Sequence, residues 1–114
     1  MIVRKHINAD VMANAHKVDA RNLYNSPDLM VSIITLKPGE ALKQHITPVD
    51  VAFYVLDGTG TVEIGEEKQT VGKDTLIESP KGIMHCWYNQ SGGTLKFMVI
   101  KAPRPTEKTV FIDN

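Results

Sequence analysis

Gly39-Glu-Ala-Leu-Lys-Gln-His45-Ile-Thr47-Pro48 and Pro80-Lys-Gly82-Ile-Met-His85-Cys-Trp-Tyr-Asn89 open and close the stretch of sequence that decides the fold. Each carries one histidine on a short strand. Ala41 to Ile46 brings in His45 and is broken by Pro48, which cannot donate to a sheet ladder. Met84 to Tyr88 carries His85. Between them, Val51 to Leu56 is an apolar strand, and Asp57-Gly58 makes a tight turn because both residues tolerate positive φ. Thr59 to Ile64 follows with Val62 and Ile64 on one face. Gly65-Glu-Glu is a hairpin tip, Lys68 to Val71 returns, Gly72-Lys-Asp74 turns again, and Thr75 to Glu78 is a strand.

Working outward, Leu29 to Leu36 is β-branched and nearly all apolar, so both its faces should be covered. Leu95 to Ile100 is a second buried strand, and Ala102-Pro103-Arg-Pro105 ends it. Asn25-Ser-Pro-Asp28 is a turn. The weaker signals lie at the ends. Met1 to Val3 reads as a short strand, Val11 to Ala15 as one helical turn capped by Asp10, and His16 to Leu23 as an edge strand. In the tail Thr106 to Asn114, the cluster Val110-Phe111-Ile112 is expected on an edge of this subunit or of a second one. About eight to ten short strands, turn signals every 8–12 residues and no sustained helix predict an all-β sandwich or barrel.

The chain has 114 residues, a length that fits one domain and buries roughly two-thirds of its unfolded surface. Thirteen Lys and Arg balance thirteen Asp and Glu, so no field steers nucleic acid or an anionic membrane. No apolar stretch approaches the roughly 20 residues of a membrane helix. Asn8, Asp10 and Asn14 interrupt what would be the apolar run of a signal peptide. The single cysteine, Cys86, has no internal partner, which fits a reducing cytoplasm. Near-zero charge and two strands with no polar face predict a homodimer that buries one sheet face.

The central stretch resembles the cupin superfamily, small antiparallel jelly-roll barrels also described as double-stranded β-helices. That family's first motif is a glycine, five residues, His-x-His, three or four residues, Glu, six residues and a glycine; Gly39, His45 and Gly58 stand at its positions. The second is Pro-x-Gly-x-x-His, three residues, Asn, and Pro80, Gly82, His85 and Asn89 match it in full. The resemblance implies a single cupin-like barrel over 1–114, with its motif core at 39–89, and a dimer. It also implies a divalent metal site, and here the sequence departs. Thr47 stands where the family has its second histidine, Val51 where it has glutamate, and Asp74 where it has a glycine before the second motif.

The residues define the chemistry to look for. Neutral imidazoles bind borderline divalent metals, and mononuclear catalytic sites use three protein ligands. His45 and His85 supply two; the third candidates are Thr47, a poor hydroxyl ligand, and Asp50, which would need a local bulge to turn inward. The cofactor is thus one divalent ion (iron, manganese, nickel, copper or zinc) or none. Val51, Phe53 and Val55 alternate onto one face, and Trp87 shares the face of His85. Together they predict an apolar pocket, with Trp87 as a stacking wall. Lys43 is placed on His45's face, Cys86 turned away from the pocket, and His6 and His16 at the surface or an interface.

Three functions follow as expectations. One is a cupin that binds a small molecule in its barrel and whose metal site is degenerate. A second is a metal-dependent oxygenase, isomerase or decarboxylase acting on a small organic acid or sugar derivative. A third is a structural dimer module. No Gly-x-Ser-x-Gly, phosphate loop or Cys-x-x-Cys offers another chemistry.

Overall fold

In the computed structural model, which describes residues 1–112, ten strands form two five-stranded antiparallel sheets facing one another. The last two positions of the 1–114 domain lie outside the described residues. The strands are β1 (Asp19–Asn25), β2 (Met30–Leu36), β3 (Ala41–Ile46), β4 (Asp50–Asp57), β5 (Gly60–Ile64), β6 (Glu67–Val71), β7 (Leu76–Ser79), β8 (Met84–Tyr88), β9 (Leu95–Ala102) and β10 (Val110–Phe111). One sheet has the order β1-β2-β9-β4-β7 and the other β10-β3-β8-β5-β6. The expected all-β jelly roll is therefore present, with strand bounds within a residue or two of the expected ones from β2 onward.

Alternation builds the core. Val51, Phe53 and Val55 of β4 point inward, the last two opposite Val99 and Phe97 of β9, and pack with Leu95 and with Leu42, Val62 and Trp87 from the other sheet. Trp87 stacks on Phe97 with ring centroids 4.3 Å apart, and Phe53 meets both edge-on.

The motif residues around the histidines are mostly structural. Gly39 adopts φ +86 and donates its N–H to Asn89 O at 2.8 Å, while Asn89 N–H returns to Glu40 O at 3.0 Å. The buried Asn89 amide also donates to Leu36 O and Gly93 O. Gly58 sits at φ +83, and a Cβ there would collide with the carbonyl oxygen of Thr94. Asp74, which replaces the family's glycine, itself adopts φ +64, a left-handed conformation that Asp tolerates better than most residues.

The first eighteen residues differ from expectation. Met1 to Val3 forms no strand, and Val11 to Ala15 forms no helical turn; a short 3₁₀ turn occupies His6–Asn8 instead. Arg21 fixes this arm, its guanidinium reaching the carbonyls of His6, Ile7 and Ala9 while pairing with Asp19 at 3.0 Å. Residues 12–18 then cross the barrel as an irregular strap, and the edge strand starts at Asp19 rather than His16.

Candidate functional site

His45 and His85 are direct cross-strand partners on β3 and β8. Both are buried, at 7% and 2% exposure, and their Nε2 atoms lie 2.9 Å apart. A β-bulge makes this possible. Leu42 stands opposite Trp87 and His45 opposite His85, so β3 spends one more residue than β8 over the same span. Strict alternation from Leu42 would turn His45 outward; the extra residue returns it to the inner face. For the same reason Lys43 does not share His45's face. It is exposed, and only its backbone reaches the site.

The hydrogen bonds fix the protons. Lys43 O can only accept, so His45 Nδ1–H donates to it at 2.6 Å, and a neutral His45 presents a bare Nε2. His85 Nε2–H then donates to His45, and His85 Nδ1 accepts from the Ser79 hydroxyl at 2.7 Å. Thr47, itself buried, places Oγ1 3.2 Å from His85 Nε2. Its carbonyl meanwhile receives the N–H of Gly82 and so ties the two motifs together.

His16, expected at the surface, joins this row. Its ring centroid is 4.8 Å from that of His45, and its Nδ1 accepts the N–H of Lys43 at 2.8 Å. All three imidazoles are held neutral. Burial, then the proximity of His45, lowers His85 to about 3; burial and the same neighbour lower His16 to about 4. Burial also lowers His45, against the opposing effect of the Lys43 carbonyl.

These groups line a cavity of about 160 Å³ between the sheets. Val51 and Phe53 line it, with Ile34 and Val99 from the neighbouring strands. Val55 and Trp87 do not reach it: both are completely buried in the core below, where Phe97 covers the Trp87 face that was expected to be a stacking wall. Asp50 is on the opposite face of β4 from Val51, exposed, and accepts the N–H of Lys81 at 2.9 Å. A wider groove of about 620 Å³ under the N-terminal arm is open and contains no imidazole, so the smaller cavity is the candidate site.

The two Nε2 atoms, 2.9 Å apart, would subtend about 90° at an ion bound at the usual ~2.0–2.1 Å, so they suit two adjacent positions of one metal. The donor set stops there. Among the described residues, no group of three or more His, Cys, Asp or Glu side chains is placed to hold a metal. Thr47 contributes only a hydroxyl, and among the described residues no carboxylate lines the cavity. The described residues thus supply two of the three protein ligands of a mononuclear catalytic centre and do not complete one. Lys101, not anticipated from the sequence, lines the cavity from β9. Its signal was the period-2 run Leu95, Phe97, Val99, Lys101, which places it inside once β9 extends past Ile100.

No curated protein matches the chain in sequence. Among solved structures it resembles TT1209 from Thermus thermophilus at 26% identity and TM-score 0.79, covering 92% of this chain and 100% of that one. It also resembles the polyketide cyclase RemF from Streptomyces resistomycificus (15%, TM-score 0.86, 100% and 87%) and KdgF from a Halomonas species (21%, 0.77, 87% and 92%). The last two likenesses show the fold alone. The family model described as a cupin domain matches residues 32–101, more than half of the chain and including both histidine strands, Val51, Phe53 and Lys101. The chain belongs to the cupin family.

Proposed function

We propose that the protein binds a small organic molecule in the cavity around His45 and His85. The observation that carries this reading is a buried imidazole pair facing a mostly apolar, partly open cavity of about 160 Å³. That is below the ~300–1,000 Å³ of drug-sized pockets, so the ligand has few heavy atoms. The ring nitrogens of His45 and His85 are engaged by Lys43 O, Ser79 and each other, so the Thr47 hydroxyl and His16 Nε2–H are the polar groups that orient it, and the apolar walls of Val51 and Phe53 exclude water from its carbon skeleton.

The adjacency of two Nε2 atoms supports a second reading, a metal-dependent enzyme completed by donors from substrate or water. One experiment separates them. The protein is purified without chelators or a metal-binding tag, beside a His45→Ala, His85→Ala double variant. Metal content is measured by mass spectrometry, and small molecules are screened for a rise in melting temperature. Negligible metal, with ligands that stabilise the parent and not the variant, is the expected result; saturation at 100 times Kd gives about 2.7 kcal/mol. Near one equivalent of metal, lost in the variant, moves the assignment to the second reading. Neither metal nor ligand would leave the structural dimer module.

A further inference from the structure

Lys101 is an unusual residue to find beside three neutral histidines. It lies on the inner face of β9, opposite Met30 on one side and Val51 on the other, and lines the same cavity as His45, Thr47 and His85. Among the described residues, no hydrogen bond or ion pair engages its ammonium; the one ion pair is Arg21 with Asp19, on a different face. Among the described residues, the cavity lining contains no Asp or Glu. Lys101 is half-buried, and that burial lowers its pKa. Lys101 in turn contributes to holding the three imidazoles neutral. The space is therefore electropositive at one point and apolar over most of the rest.

We infer that the cavity selects a small monocarboxylate, its carboxylate paired with Lys101 Nζ and its carbon skeleton against Val51, Phe53 and Val99. This deepens, and rests on, the proposal that the cavity binds a small molecule. A single charge is specified because only one cation faces the space. A dianion such as a phosphate monoester would bring one negative charge in uncompensated, and the neutral imidazoles offer hydrogen bonds rather than charge.

The test compares matched pairs: butyrate, isovalerate and benzoate, each beside its primary amide, which keeps the shape and removes the charge. Binding is measured by calorimetry on the parent, on Lys101→Met, which keeps the length of the side chain, and on Lys101→Arg, which keeps the charge. The parent should bind at least one carboxylate ten times or more tighter than its amide. Lys101→Met should erase that preference, and Lys101→Arg should retain part of it. Amides and carboxylates binding equally, or a preference that survives in Lys101→Met, would overturn the Lys101 assignment while leaving the binding cavity standing. No binding by any acid or amide would remove both.

Discussion

Ser79 Oγ lies 2.7 Å from His85 Nδ1, and the direction of that hydrogen bond sets what the histidine pair can do. When Ser79 donates, His85 carries its proton on Nε2 and the pair is a closed dyad. Only a cation or a ligand donor placed between the two Nε2 atoms, 2.9 Å apart, would reverse the Ser79 bond, with Ser79 then accepting from His85 Nδ1–H. Ser79→Ala leaves a buried ring nitrogen unpartnered and should cost about 1–3 kcal/mol, read from the denaturant midpoint. The imidazoles also predict an acid weakness. Their folded pKa values lie below the unfolded 6.5, with His85 at about 3 and His16 at about 4. Between those values the unfolded chain binds more protons than the folded one. Stability is thus full above about pH 6.5 and falls as pH drops toward 3, by on the order of 3 kcal/mol through His85. A flat denaturant midpoint from pH 7 to 4.5 would refute this. Asp74 supplies a third test at this scale. Asp74→Gly should leave stability unchanged or raise it by up to about 1 kcal/mol, whereas a β-branched Asp74→Val should lose about 1–2 kcal/mol.

Among the elements, β3 matters most, because its bulge delivers two contacts at once. Lys43 offers its carbonyl to His45 and its N–H to His16. Deleting Gln44 would restore regular pairing with β8 and keep Leu42 and His45 inward, but remove the bulged backbone that grips both rings. The β-sheet circular dichroism should persist, stability should fall by about 1–3 kcal/mol, and the imidazole ¹⁵N spectrum should lose the single Nδ1–H form of His45. The strands themselves were legible wherever alternation or apolar runs were strong, from β2 to β9. The arm and strap were not, because their backbone groups are satisfied by side chains, Arg21 reaching back from β1 and Asn14 within the strap itself, rather than by a periodic pattern. His45 and His85 were readable from motif spacing. His16 and Lys101 were not, since it is the strap and the far sheet that bring them to the cavity. Parity correctly separated Asp50 from Val51, and it failed for Lys43 only because a bulge is invisible to it.

At the scale of the whole molecule, the outer face of the β1-β2-β9-β4-β7 sheet presents Val31, Met98 and Ile100, half-buried, and Leu76 at 55% exposure. A homodimer through this face is the expected state. Light scattering should give twice the 12.7 kDa chain mass, and Ile100→Asp should shift it toward the monomer. The place of β9 has a further consequence, in time rather than in space. It lies between β2 and β4, so two strands made early in synthesis wait for one that emerges near the end. Likewise β3 and β5 wait for β8. Beyond the β1–β2 and β5–β6 hairpins, neither sheet can assemble from strands adjacent in sequence, and folding belongs to the slow class, milliseconds to seconds. A chain stopped at about residue 90 would hold apolar strands with unpaired edges, and aggregation is its natural fate.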